Sequence, residues 1–132
     1  MDFLYLESIV FTRVKTEFSK TIKNKYPNLE MSTTQQSLSN VKFPHISIKL
    51  LPSSEIGQDL SGETVNGIDA NFEIRISSNK NNNETREIMA EVKRIFKTMR
   101  FRFNDMPYPE QTDGTYYSIA RASRAIGSGD TL

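Results

Sequence analysis

The spacing of apolar residues divides the chain into helical and extended stretches. Apolar residues recur mostly every four positions over residues 2–26, which predicts one long helix with a single buried face. Pro27 ends it, because the residue before a proline avoids the helical region. Residues 41–51 and 68–78 alternate in steps of two, the period of a half-buried strand. A second helix is predicted from Glu84 to Met99, where the apolar positions form one stripe: Ile88, Met89, Val92, Ile95, Phe96 and Met99.

Turn and cap signals complete this outline. The asparagine-rich run at residues 79–83 predicts an N-terminal helix cap, since an asparagine side chain accepts from free N–H groups there. Phe101 and Phe103 begin a short strand whose far end Pro107 and Pro109 make irregular. Asp113-Gly114 predicts a hairpin turn before a last strand at residues 115–126. The predicted fold is a single α+β domain over residues 1–132, with a mixed, mostly antiparallel β-sheet of about four to five strands flanked by two helices.

Two stretches lack this periodicity. Residues 32–37 are polar and predict an ordinary loop. Residues 53–67 are rich in Gly, Ser, Asp and Glu, and predict either one long loop or an extended hairpin arm at about residues 52–70, with its tip near Gly57 or Gly62. Long ordered loops in small domains are often functional, so contact with a neighbouring subunit is one of the two interpretations of this segment.

Composition narrows the functional classes. The length of 132 residues favours one domain, and the net charge of +1 argues against a dedicated nucleic-acid-binding protein, which usually carries a basic excess. The absence of cysteine excludes disulfides and zinc–thiolate sites. The N-terminal residues do not resemble a signal peptide, and no apolar run approaches the roughly 18 residues that predict a membrane span. We therefore expect a soluble protein made in the cytoplasm, without a membrane partner.

No residue pattern indicates catalysis or a cofactor. The single histidine, His45, cannot form a metal site alone and would need a carboxylate partner to act as a base. Gly57, Gly62 and Gly67 match neither a phosphate-binding loop nor a dinucleotide fingerprint. The expectation is a protein that is not an enzyme, with no catalytic residue, no metal and no cofactor.

Charged residues are the candidates for contacts between subunits or with partners. Arginine pairs well with carboxylates on a second protein, and acidic loop residues supply the opposite charge. The alternative for Arg100 is that it complements the helix dipole, and for Arg121 and Arg124 it is a solvated sheet edge. The candidate contact residues are Glu55, Asp59, Glu63, Arg100, Arg102, Arg121 and Arg124.

The order of these motifs resembles the tail terminator proteins of long-tailed bacteriophages, also called tail completion or tail-to-head joining proteins. A long N-terminal helix precedes Phe-Pro-His-Ile-Ser-Ile at residues 43–48, similar to the family's Phe-Pro-x-hydrophobic entry into its first strand. A polar loop leads into Phe-Glu-Ile-Arg-Ile-Ser-Ser at residues 72–78, and the next helix ends in Met99-Arg100-Phe101, where relatives often have Gly-Phe after methionine. The last strand has spaced arginines at Arg121 and Arg124. The resemblance covers nearly the whole chain, and Arg100 departs from it.

The resemblance implies a structural role in the virion. Six copies would form a ring at the head-proximal end of the tail tube, where the ring ends tube polymerisation and joins the head. The implied partners are other copies of the chain, the tail tube protein and a head–tail stopper or connector protein. Genome DNA would pass through the channel without sequence-specific binding. The protein would be assembled in the host cytoplasm and located at the head–tail junction. The alternatives are another head–tail connector ring, such as a stopper or adaptor, and a small nucleic-acid-binding domain.

Overall fold

Three helices and seven strands make up the part of the chain that the structure, a computed structural model, describes: residues 5–33, 42–52, 54–56, 67–104, 106–127 and 129–132. The helices are α1 (Leu6–Glu17), α2 (Lys20–Lys25) and α3 (Asn82–Thr98). The strands are β1 (Glu30–Ser32), β2 (His45–Leu50), β3 (Ser54–Ile56), β4 (Gly67–Ser78), β5 (Arg102–Phe103), β6 (Tyr108–Thr112) and β7 (Thr115–Gly127).

The sheet is built around the long antiparallel pair β4–β7. Its order is β1-β2-β4-β7-β5, with β3 also on β4 and β6 also on β7. Only the β1–β2 pairing is parallel among the strands described. This confirms the predicted α+β class with a mixed, mostly antiparallel sheet. The prediction of four to five strands missed short elements, chiefly β1 and β3, whose three residues are too few to show a period.

The predicted single N-terminal helix is wrong, because the chain leaves the helical conformation at Phe18, where ψ is 136°. A residue advances about 100° around a helix, so each four-residue step rotates the apolar stripe by about 40°. Leu6, Val10 and Val14 stay within one buried face, but continuing to Ile22 would carry the stripe far around the helix. The break lets the buried Phe18 enter the core from extended backbone, and a separate helix, α2, begins at Lys20.

Alternate residues of the central strands form the core. Phe72, Ile74 and Ile76 of β4 are fully buried against the helices, as are Ile46 and Ile48 of β2. Apolar residues of α1 and α3 belong to the same cluster, so both helices cover this face of the sheet. Full burial of each large apolar side chain stabilises the fold by roughly 1.5–3 kcal/mol. The other side chains of β2, β4 and β7 form a second face, which we call the outer face.

Helix α3 is held at its N-terminus by a side-chain cap. It begins at Asn82, two residues before the predicted start, and the side chain of Asn81 accepts a hydrogen bond of 2.9 Å from the Glu84 N–H. The buried hydroxyl of Ser78 donates to the Glu84 carboxylate at 2.7 Å. The asparagine cap predicted from the sequence is therefore confirmed.

Helix α3 ends in a Schellman motif that contains a non-glycine residue. The N–H of Phe101 donates to the Phe96 carbonyl at 3.1 Å, and the N–H of Arg100 donates to the Lys97 carbonyl at 3.0 Å. The Phe96 and Phe101 rings pack edge to face, 5.3 Å between centroids, which supplies the apolar contact of this motif. Arg100 occupies the left-handed position, with φ of 65°, where glycine is usual.

The hairpin between β6 and β7 follows the predicted turn signal. Asp113 and Gly114 both have positive φ, 49° and 75°, as a two-residue type I′ turn requires. The strand β6 is more regular than predicted, since it includes Pro109. A proline is tolerated there because β6 is an edge strand that pairs only with β7 among the described strands.

Candidate interaction surfaces

The outer face of the sheet carries cross-strand rows of charged and aromatic residues. Lys49, Glu73 and Arg121 lie directly opposite one another on β2, β4 and β7. The Arg121 guanidinium lies 3.2 Å from the Glu73 carboxylate, and Arg75 lies 3.9 Å from it. Arg75 also lies over the Tyr117 ring, 5.5 Å from its centroid. These rows contain three basic residues and one acidic residue, so this part of the outer face has a basic excess.

The two arginines predicted near this region occupy the outer face together. Arg102 of β5 lies opposite Ser123 of β7, two residues along that strand from Arg121. Both arginines are exposed. Tyr108 on β6 is 52 % exposed. It lies opposite Ile119, which is only 2 % exposed although it is on the outer face. The flanking register partners of Ile119 are Tyr108 and Arg75, which cover it from both sides.

Arg124 belongs to a different surface from Arg121. Its side chain is 9 % exposed and donates a hydrogen bond of 2.9 Å to the Met99 carbonyl, so it caps the C-terminus of α3. It also lies 3.8 Å from Asp130, beside Arg100 in a polar cleft of about 350 Å³ to which Arg13 contributes as well. A buried arginine at a helix C-terminus complements the negative end of the dipole. Arg124 is thus committed to internal contacts, whereas Arg100 makes no ion pair with any described residue.

An apolar groove of about 310 Å³ lies between α3 and the β6 edge. Met106 is 85 % exposed beside it, and Pro107 and Pro109 form the wall on the strand side. Arg86 and Lys93 stand on the helix side, and neither forms an ion pair within the part of the chain described. Lys93 instead lies 5.4 Å from the centroid of the Phe103 ring. The remaining lining residues are Thr85, Met89, Ala90 and Ser118. We call this feature the basic-rimmed groove.

A second open groove, of about 510 Å³, lies beside α2. Its wall includes Tyr26, whose hydroxyl donates to Glu87 of α3 at 3.1 Å. The ammonium of Lys25 donates to the same carboxylate oxygen at 2.8 Å. This hydrogen bond raises the pKa of Lys25 and lowers the pKa of Glu87, while burial raises the pKa of Tyr26. The three groups attach α2 to α3 and are satisfied by one another.

The single histidine is buried in the sheet. His45 is 4 % exposed, and its Nε2 lies 3.0 Å from the Ser32 hydroxyl on the parallel edge strand β1. Burial lowers the pKa of His45, and the nearby Glu30 carboxylate opposes that shift. The contact joins β1 to β2 through side chains as well as backbone.

The predicted arm begins and ends as paired backbone. Strand β3 pairs antiparallel with the first residues of β4, and Glu55 lies opposite Ile68 in that register. Asp59 and Glu63 fall in residues 57–66, outside the described residues. Gly67 sits at the base, where a Cβ atom would lie 2.7 Å from the Ile126 carbonyl oxygen. Glycine is therefore required at this close approach of β4 to β7.

The structure thus distributes the candidate contact residues over several surfaces. Arg102 and Arg121 share the outer face, Arg100 and Arg124 share the polar cleft, and Glu55 is at the arm base. The basic-rimmed groove was not among the features predicted from the sequence. The available signal was the run of Met106, Pro107, Tyr108 and Pro109, which combines apolar residues with edge-strand prolines.

Two further findings concern the described residues as a whole. They contain no group of three or more His, Asp or Glu side chains placed to hold a metal ion. None of their helices combines the length and apolarity needed to cross a bilayer. In comparisons with known proteins, no protein family and no curated protein matches the chain.

Proposed function

We propose that the protein is a tail terminator of a long-tailed bacteriophage, which forms a ring at the head-proximal end of the tail tube. The ring ends tube polymerisation, binds the head–tail connector and lets genome DNA pass through its channel. Six copies form the ring, and the protein is located at the head–tail junction of the virion. Its action is mechanical and structural, not catalytic.

The proposal of a tail terminator comes from the resemblance of the sequence motifs to that family, and the fold is compatible with it. The family implies a mixed sheet with flanking helices, and the chain has such a sheet. The Phe43-Pro44 motif leads directly into β2, and the spaced arginines lie on β7, where the resemblance expects strands. Arg100, which departs from the Gly-Phe pair of the resembled family, has the left-handed backbone conformation that glycine favours.

The observation that carries the proposal is the difference between the two ends of the β4–β7 pair. Gly67 pairs with Gly127 at one end, where the short strand β3 also pairs with β4. Ile76 pairs with Ser118 near the other end, where Ser118 lines the basic-rimmed groove. A subunit with unlike features at opposite ends suits a heterologous contact, in which the front of one copy meets the back of the next. Such contacts close into rings or grow into filaments, and a terminator requires the closed form.

The near-neutral charge also supports a conduit for DNA. With a net charge of +1, the subunit does not provide the strong basic excess that would hold phosphates. A channel lined by subunits of such low net charge would let the genome slide.

Electron microscopy of virions labelled with an antibody against this chain tests the function. The proposal expects label at the head–tail junction, together with overlong tails when the protein is depleted. Label at the junction with tails of normal length would identify another connector ring instead. Virions without label would overturn the structural role and direct attention to nucleic-acid binding. Native mass spectrometry of the purified chain checks the stoichiometry, for which a hexamer is expected.

A further inference from the structure

A band of positive charge crosses the outer face from strand to strand. Four neighbouring strands each contribute one basic residue: Lys49 of β2, Arg75 of β4, Arg121 of β7 and Arg102 of β5. Lys49 and Arg121 share one cross-strand row, and the other two lie two residues along the strands from that row. Neighbouring strands are about 4.8 Å apart, so the band extends roughly 14 Å across the sheet. We call these four residues the basic stripe.

Among the described residues, one acidic side chain lies within the basic stripe. Glu73 pairs with Arg121 and Arg75, but its side chain is only 23 % exposed, whereas the side chain of Arg121 is 61 % exposed. Lys49 and Arg102 are exposed and form no ion pair with any described residue. The charge that this surface presents to solvent is therefore positive.

Two exposed acids of the outer face lie on either side of the stripe. Asp69 is four residues from Glu73 along β4, and Glu110 lies opposite Tyr117, which is four residues from Arg121 along β7. Four residues of strand span roughly 13 Å. A polyanion that crosses the strands along the stripe thus stays clear of both acids, whereas one that runs along the strands approaches them.

The surroundings of the stripe suit a nucleic acid better than a protein. Interfaces between proteins usually have apolar or aromatic anchors at their centre, but Ile119, the apolar residue beside the stripe, is only 2 % exposed. Interfaces with DNA are instead polar and positively charged. The Tyr117 ring lies under Arg75, and Tyr108 covers Ile119, so both rings already have partners and are not offered to unpaired bases. Duplex DNA, which presents phosphates, fits this surface best.

We propose that the basic stripe binds the phosphate backbone of duplex DNA without reading its sequence. A duplex carries one phosphate charge per 1.7 Å of its axis, so about 14 Å of it carries about eight, of which roughly half face the protein. The four cations of the stripe thus meet about four phosphates. The contact belongs to a single subunit and does not depend on the proposed ring. It is compatible with a DNA conduit, because sequence-independent phosphate contacts let a protein slide along DNA.

Fluorescence anisotropy of a short labelled duplex, titrated with the full chain, tests this contact. Each phosphate contact releases counterions, so about four contacts predict a slope of about −3.6 for the logarithm of the association constant against the logarithm of the salt concentration. The affinity should therefore fall roughly a hundredfold between about 50 mM and 200 mM salt. Absence of binding at about 50 mM salt and several hundred micromolar protein would overturn the inference.

Charge-matched variants show whether the stripe is the binding surface. Lys49→Gln combined with Arg102→Gln removes two exposed, unpaired cations, so the melting temperature should stay unchanged while the salt slope becomes smaller by about two. Lys15→Gln combined with Lys97→Gln changes the net charge equally, at exposed positions of helices that cover the other face of the sheet. This control pair should keep the native slope. Equal losses in the two double variants would overturn the inference.

Removing the acid of the stripe should have the opposite effect. Glu73→Gln leaves four cations without their internal counter-charge, so duplex DNA should bind several-fold more tightly than it binds the native chain. Unchanged or weaker binding would contradict a contact at this surface.

Competition experiments identify the class of the occupant. Unlabelled duplex should displace the labelled duplex at a lower concentration of charge than a single strand of equal length or poly-glutamate does, because its charge density is higher. A single strand that competes more strongly would overturn the assignment to duplex DNA. Poly-glutamate that competes as strongly as the duplex would overturn it in favour of an acidic protein. Failure of these tests leaves the terminator proposal in place, and virions without label at the junction leave the DNA contact in place.

Discussion

Replacing Arg100 with glycine should stabilise the protein. Arg100 holds the left-handed position of the Schellman motif, with φ of 65°, and makes no ion pair with any described residue. A side chain in this conformation costs roughly 1–2 kcal/mol, which glycine avoids. Glycine in turn raises the conformational entropy of the unfolded chain, an opposing effect of about 0.4–1 kcal/mol. The expected net gain in the free energy of unfolding is roughly 0.5–1 kcal/mol, which raises the melting temperature by about 2–5 °C for a domain of this size.

Two companion variants separate backbone strain from the loss of the guanidinium. Arg100→Ala removes the charge but keeps a Cβ atom in the strained position, so its free energy of unfolding should stay within about 0.5 kcal/mol of the native value. Arg102→Gly makes the same substitution in β5, where glycine should cost about 0.5–1 kcal/mol. Urea unfolding of the three variants gives the comparison. If Arg100→Gly proves less stable than Arg100→Ala, the left-handed backbone does not carry the strain and the argument is refuted.

Three further predictions test the core, the helix cap and the buried histidine. Phe96→Ala should lower the free energy of unfolding by about 3–5 kcal/mol, because Phe96 is fully buried among aromatic rings, whereas Met106→Ala, at an exposed side chain, should change it by less than about 0.5 kcal/mol. Denaturant titration measures both, and equal losses would contradict the packing. Asn81→Ala should lower the free energy of unfolding by about 1 kcal/mol, because the helix cap is lost, whereas Asn83→Ala, at an exposed residue, should leave it almost unchanged. Equal losses for the two variants in denaturant titration would be inconsistent with the observed hydrogen bond. Burial lowers the pKa of His45 in the folded state, so the unfolded state binds the proton more readily. Stability should therefore be retained above the unfolded pKa of about 6.5 and decrease as the pH falls from there through the folded pKa, while His45→Asn should remove this component of a pH series of melting curves.

Much of the second half of the chain could be predicted, because its local signals agree with its packing. The apolar stripe of α3, the cap at Asn81 and the Asp113-Gly114 turn each act within a few residues. Strand β4 was predicted within one residue, because its alternate side chains face a buried core and an outer face. The periodicity of apolar residues along a helix or strand indicates which of its faces is buried.

The parts that were missed depend on contacts between distant segments. The break at Phe18 follows from the geometry of a stripe that turns around its helix, which the four-residue spacing alone concealed. Strand β1 exists because it pairs with β2, fifteen residues further along, and its own three residues carry no signal. Arg124 looked like a surface charge in the sequence, but the fold places the end of α3 within its reach.

The β4–β7 pair has a mechanical consequence for an assembled ring. Twelve consecutive residue pairs join these strands, from Gly67 and Gly127 to Ser78 and Tyr116. A pull between the arm base and the groove would act along the strands, so the backbone hydrogen bonds of the pair would be loaded together in shear and not opened one after another. In the proposed ring, the subunit would then transmit tension through this strand pair, while the helices α1 and α3 lie on one side of it and outside the line of force.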